Sequence, residues 1–361
     1  MIALIVLAIL LFMGTFTRHN TAANIAAFCG LAFLVGAAGP KTTDYATYAS
    51  YYQSVGIGTP YFERGYTALE QLFSNLGYDY AAFRLALAFL ATFFLYIGVR
   101  RFTDNMIFFA VAYYLSVLFL DVIQIRNYVA ISLIIFAVSF LKDKTWWGVG
   151  IAVVGCLLAA QFHSIGYVFL PVVLLRLIPK RWLKPTLVVL MVLVLLAMMV
   201  TVVVGANYVS ALLGKIAGIV TSRANLAARI TSMYTDRTSL FRIVGLTFTA
   251  FSGVIFALYI DHISDFSEKD DATFTTLLCG FMMSFYALPA DFLAYDYSRI
   301  QRNGFLFLII LAAFYFEKHP QARFKLKLTT GTFFGLVAVT YFFFTCYLWR
   351  VTDMIPYLLL R

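Results

Sequence analysis

The side chains best suited to chemistry in this chain are a few charged residues set between long apolar stretches. The segment Pro40-Lys41-Thr42-Thr43-Asp44-Tyr45-Ala46-Thr47-Tyr48-Ala49-Ser50-Tyr51-Tyr52 puts Asp44, Tyr48 and Tyr51 at i, i+4 and i+7, one face of a short helix opening at Thr43 or Asp44. A carboxylate among aromatic hydroxyls suits a polyhydroxyl ligand such as a sugar, and Tyr45, Tyr48, Tyr51 and Tyr66 are the candidate contacts. The competing reading is an N-capping acid beside interfacial tyrosines. Next comes Tyr61-Phe62-Glu63-Arg64-Gly65-Tyr66, running into Leu69, Leu72, Phe73 and Leu76. That spacing describes an amphipathic helix lying on a membrane, with Glu63 at its dipole-favoured start.

Three further candidates follow. Arg126, in Asp121-Val122-Ile123-Gln124-Ile125-Arg126-Asn127, opens an apolar stretch. A charge there needs a cavity or a partner. It either binds an anion or pairs with Asp121. His163, in Gln161-Phe162-His163-Ser164, stands in a tight turn with no other charge. It can take a proton, hydrogen-bond a phosphate, or serve as a structural histidine. Asp296, Arg299 and Arg302 recur every three residues where another apolar stretch begins. Two arginines one turn apart can clamp a diphosphate, or anchor headgroups. Asp44, His163 and Glu63, in that order, are the candidate general bases.

These residues must be positioned by membrane helices. The chain is 62% hydrophobic and 12% charged over 361 residues, with mean hydropathy +0.87. So little charge cannot cover a soluble surface, which excludes a soluble enzyme, a disordered chain and a fibre. Continuous runs such as Leu187–Val204 exclude an outer-membrane barrel, whose strands alternate. The expected fold is all-α and polytopic, a single transmembrane domain over 1–361. About twelve spans fit the apolar runs. They lie near 2–16, 21–39, 80–98, 105–120, 125–141, 146–161, 164–178, 186–204, 241–260, 273–290, 300–316 and 328–349. Met1–Phe16 lacks a basic start and a small-residue cleavage site, so it reads as a retained span.

Eight of the ten lysines fall in the turns on one side, which assigns that side to the cytoplasm. The opposite side holds two long connections, 40–79 and 205–239, and eleven of the 17 arginines. Arginine offers a rigid fork to phosphate oxygens, so this excess points to an anion site on the outer face. Lipid headgroups are the simpler alternative. The net charge of +10 comes with no basic arm or nucleic-acid motif. The four cysteines are scattered through apolar runs without metal spacing. No P-loop, GxGxxG, HExxH or His/Cys cluster is present, so neither a nucleotide fuel nor a metal cofactor is expected.

Asp44-Tyr45-x-x-Tyr48, Phe62-Glu63-x-Gly65-Tyr66, Ile125-Arg126-Asn127, Gln161-Phe162-His163-Ser164 and the late Arg299 together resemble the EpsG family. That family comprises Wzy-type bacterial polysaccharide polymerases related to GT-C glycosyltransferases. The resemblance is strongest over 40–175. It implies a GT-C-like fold in the bacterial cytoplasmic membrane with the active site facing outward. It also implies a polyprenyl-diphosphate-linked oligosaccharide as donor and another lipid-linked repeat unit as acceptor. The reaction would be metal-independent block transfer releasing polyprenyl diphosphate. Membrane lipids, a chain-length regulator and a flippase are the implied partners. Arg126, Arg299 and Arg302 would bind the diphosphate, and Asp44 or His163 would take the acceptor proton. A single-sugar GT-C transferase, an O-antigen ligase, a flippase and a purely structural membrane protein are the competing functions.

Overall fold

The structure, a computed structural model, describes residues 20–57, 61–204, 239–291, 295–348 and 350–351, with the single position 215. The expected span 2–16 and nearly all of the connection 205–239 lie outside the described residues. Among the described residues every regular element is helical.

In chain order the helices are α1 (Thr21–Gly36), α2 (Tyr45–Gln53), α3 (Arg64–Asn75), α4 (Tyr80–Arg100), α5 (Met106–Ser116), α6 (Leu118–Ile123), α7 (Ile125–Val138) and α8 (Trp146–Ala160). They continue with α9 (Ile165–Val168), α10 (Leu170–Leu177), α11 (Lys180–Val204), α12 (Leu240–Ile263), α13 (Glu268–Tyr286), α14 (Leu288–Asp291), α15 (Ser298–Lys318) and α16 (Phe324–Phe342). Their starts are chemically marked. Asn20 accepts from the Ala22 and Ala23 amides, Asp79 from Ala82 and Thr145 from Gly148, satisfying amides with no partner in their own helix.

Among the described residues, seven helical stretches are long and apolar enough to cross a membrane: Tyr80–Arg100, Ile125–Asp143, Arg181–Thr201, Leu240–Ile263, Glu268–Asp291, Ser298–Lys318 and Phe324–Tyr347. Thr21–Gly36, Met106–Ser116, Trp146–Ala160 and Ile165–Leu177 are shorter apolar helices. Each expected span from residue 21 onward coincides with helix, and several are broken. The backbone kinks at Val117, at Gln124 (φ −101°, ψ 62°) and at Phe169. The kink at Gln124 starts α7 afresh, which is what sets Arg126 at a helix mouth.

Burial separates core from periphery. The stretches Ile125–Asp143, Glu268–Asp291 and Ser298–Lys318 are 83% buried, whereas Arg181–Thr201 is 17% buried. That helix is apolar all round, with Val188, Val189, Val192 and Leu193 exposed, the pattern of a helix facing lipid. The central helices pack as α4 on α7, α7 on α8 and α13 on α15.

The two ends of the bundle differ in charge. At one end Thr103 Oγ1 and the Asp104 amide donate to Glu317 at 2.6 Å. There too Arg176 donates to the carbonyls of Lys142 (3.0 Å) and Ala272 (3.3 Å). Lys184 pairs with Asp261 (2.6 Å) and Lys318 with Asp270 (3.0 Å). These groups come from the turns that the lysine bias assigns to one side, so hydrogen bonds and ion pairs tie those turns into one face. The connection 40–79 and the starts of α7, α9 and α15 gather at the other.

Cysteine labelling of intact cells, in a Cys29→Ser background, is therefore expected to modify Ser54→Cys from outside and Asp265→Cys only after the cytoplasmic side is opened. Both positions are exposed. The reverse pattern would invert the topology.

Candidate functional site

The site forms where the connection 40–79 folds onto the arginine-rich end of the bundle. Glu63 stands at the N-cap of α3, yet its carboxylate makes no capping bond. It forms a buried ion pair with Arg126, at 1% and 6% side-chain exposure, and accepts from the Ser164 amide at 3.3 Å. Glu63 therefore keeps the dipole-favoured place at the helix start but gives its carboxylate to Arg126 and Ser164. One carboxylate joins α3, the mouth of α7 and the turn carrying His163.

The pairing of Arg126 with Asp121 fails, because Asp121 faces the other way. It accepts from Tyr113 Oη (2.6 Å), Asn127 Nδ2 (3.2 Å) and Arg302 Nη2 (3.1 Å). Arg302 also donates to Gln124 Oε1 (3.0 Å), and the amides of Asn127 and Asn303 exchange bonds at 3.0 and 2.8 Å. The run Gln124–Asn127 thus divides its labour. Gln124 and Asn127 lock α15 beneath the site, while Arg126 faces the outer connection. Such a network is favourable only when its members are satisfied, as these largely are. Arg302, 2% exposed at the side chain, is committed mainly to this network.

Aromatic rings wall in Arg126. Its guanidinium lies 4.2 Å from the Phe62 ring centroid, 5.5 Å from Tyr48 and 5.7 Å from Tyr66, and its Nε donates to Tyr48 Oη at 3.3 Å. Arg126→Ala leaves Glu63 buried without its cation, a loss of about 3–5 kcal/mol. Arg126→Lys keeps the charge but loses the planar fork and its stacking. Both variants are expected to lose activity, and Arg126→Ala alone to unfold at markedly lower temperature in detergent. Wild-type activity in Arg126→Lys would show that charge alone suffices.

Gly65 explains how α3 docks. The Tyr66 amide donates to the Gln161 carbonyl at 3.0 Å. A Cβ added at Gly65 would sit 2.6 Å from Gln161 Cβ and 3.0 Å from its carbonyl oxygen. Only glycine allows this approach, which also brings Glu63 to Ser164.

His163 sits in the turn between α8 and α9. Its Nδ1 accepts from the Ile165 amide at 3.2 Å, and its Nε2 lies 3.3 Å from Arg299 Nη1. Arg299 in turn holds Asp296, donating to its carboxylate (2.5 Å) and its carbonyl (2.6 Å). Side-chain exposure of 20% for Arg299 and 42% for Asp296 leaves this pair open to a ligand. Arg299 and Arg302 line one small pocket with Gln124, Asp296 and Ser298.

Asp44 occupies the N-cap position of α2 in the left-handed conformation, φ 67°, and makes no capping hydrogen bond. Aspartate tolerates that conformation better than most residues. The capping alternative fails here. Asp44 is exposed on its outer side, while burial of its inner side raises the carboxyl above its ordinary value. Arg299 pulls it down most strongly, Asp296 pushes it up, and Arg126 and Arg84 pull it down. The residues that sequence set far apart thus share one electrostatic environment.

The tyrosines divide. Tyr48 and Tyr66 are buried against Arg126. Tyr51 is half-buried and stacks on Tyr61 at 4.1 Å, and Tyr45 is half-buried with its ring edge-on to Tyr80.

Two residues escaped the sequence analysis. Arg84 is buried in α4, donating to the Val35 carbonyl (3.1 and 3.3 Å), to Tyr80 Oη (3.4 Å) and to the Val122 carbonyl. It neutralises the C-terminal ends of α1 and α6. Its signal was a lone charge within an apolar run. Glu70, also buried, shares with Glu63 and Tyr66 an i, i+3, i+7 face.

A polytopic helical protein with a charged, aromatic-walled site at one end is the class these features define. The model of the EpsG family matches residues 2–359, and the chain belongs to that family. Membership points to a membrane polysaccharide polymerase of the Wzy type, with glycosyltransferase chemistry. No curated protein and no solved structure matches the chain.

Proposed function

We propose that the protein joins polyprenyl-diphosphate-linked oligosaccharide repeat units at the outer face of the bacterial cytoplasmic membrane. About twelve spans in a GT-C-like arrangement would carry the site. The acceptor hydroxyl oxygen attacks the anomeric carbon of the donor sugar, and the bond from that carbon to the diphosphate oxygen breaks. Polyprenyl diphosphate leaves with the bonding electrons, and the acceptor proton passes to Asp44. Arg299 is the leading diphosphate ligand, with Arg126 and Arg302 behind it. Their fixed donors stabilise the charge developing on the leaving group, so the transfer is metal-independent. His163 orients Arg299 and stands second as proton acceptor. Glu63 positions Arg126, and Tyr45 and Tyr51 offer ring faces to sugar. A chain-length regulator and a flippase are the proposed protein partners.

The observation that carries this reading is the grouping of Asp44, Arg126, His163 and Arg299, from separate segments, in one charged cluster. A flippase would instead distribute its charges along a path through the bilayer. The test is donor choice. Membranes holding the protein should elongate chains from lipid-linked repeat units but not from nucleotide sugars. Elongation from nucleotide sugars alone would overturn the reading.

A further inference from the structure

Glu70 has no part in the reaction as drawn, yet it is 2% exposed and faces the same cluster. One of its oxygens lacks a hydrogen-bond partner among the described residues. Glu63, Tyr66 and Glu70 share one face of α3 and its cap, and Arg126 already takes its ion pair from Glu63. Glu63 is thus paired with Arg126, while Glu70 feels the same guanidinium only through space.

We propose that Glu70 is a positioning residue for Arg126 whose proton sets how much net positive charge the outer site offers an anion. The proposal rests on the reading of that site as an anion site. With Glu70 neutral, the Arg126–Glu63 pair cancels, and Arg299 remains available to an incoming diphosphate. With Glu70 ionised, an extra negative charge lies buried beside Arg126 and opposes the anion.

Burial pushes the Glu70 carboxyl up to about 8, against the pull of Arg126 and of the Tyr66 hydroxyl. The charged and titratable groups facing it are Arg126 from α7, Glu63 and Tyr66 from α3 and its cap, and Tyr52 from α2. The sign follows: the neutral form of Glu70 dominates below about pH 8, so anion affinity falls as pH rises through it. For one added charge at effective protein dielectric the loss is roughly tenfold.

The experiment measures binding of inorganic pyrophosphate and of a short-chain polyprenyl diphosphate to the purified full chain in detergent at pH 7 and pH 9. The wild type should lose affinity about tenfold between them. Glu70→Gln, fixed in the neutral form, should lack that loss and keep only the change that the probe's own phosphate ionisation brings to both proteins. A Glu70→Gln protein that keeps the wild-type loss overturns the proposal. Should that variant not fold, Tyr66→Phe carries the test. Removing the hydroxyl that favours the carboxylate should move the inflection to higher pH, and an unmoved inflection overturns the proposal. A wild type that binds neither probe at any pH sinks the anion-site reading itself, an outcome distinct from binding with the wrong pH dependence.

Discussion

Arg299→Ala should reduce polymer formation by about 10²–10³-fold, the usual cost of removing one fixed donor from a developing negative charge. It should do so without unfolding the protein. Its partner Asp296 is 42% exposed at the side chain and can be solvated by water once the guanidinium is gone. This separates Arg299 from Arg126, whose removal strands a buried carboxylate. The measurement is polymer per mole of folded protein, alongside donor affinity. Near-normal turnover in Arg299→Ala would mean that the guanidinium only anchors the Asp296 turn.

Asp44→Asn carries the second large effect. Asparagine tolerates the left-handed backbone at this position, so shape is kept and only proton acceptance is lost. Loss of a general base typically costs 10²–10⁴-fold in rate. Donor affinity should hold or rise slightly, because a negative charge near Arg299 disappears. Because burial raises the carboxyl, the rate should fall toward acid from a pH above that of an ordinary aspartate. If Asp44→Asn polymerises normally and His163→Ala does not, the proton goes to His163. The bond from the Ile165 amide to Nδ1 makes that outcome the less favoured one.

The sequence revealed membrane class, helix positions and the identity of the charged cluster, because each depends on local composition. Apolar runs locate helices, and lysine placement groups the turns that Arg176, Lys184 and Lys318 tie together. Pairing was not legible. Asp121 lies five positions from Arg126 in sequence, yet the kink at Gln124 starts a new helix between them. Arg126 therefore takes Glu63, from a segment 63 positions earlier, and Asp121 takes Arg302. The tyrosine stripe on α2 was legible as a face but not as a burial pattern. Tyr48 turns inward, where its hydroxyl accepts from Arg126 and its ring packs on Phe62 and Tyr66. Glu70 escaped because its burial comes from the fold of α3 onto α4 and α7, which no local pattern encodes.

The central claim is that this one outer site transfers lipid-linked oligosaccharide blocks. Purified protein in liposomes, given only polyprenyl-diphosphate-linked repeat units, tests it most directly. The account predicts a ladder of polymer spaced by whole repeat units, one polyprenyl diphosphate released per bond formed, and loss of both products in Arg299→Ala and Asp44→Asn. Movement of the lipid-linked unit across the bilayer with no ladder, or a ladder undiminished in both variants, would contradict it.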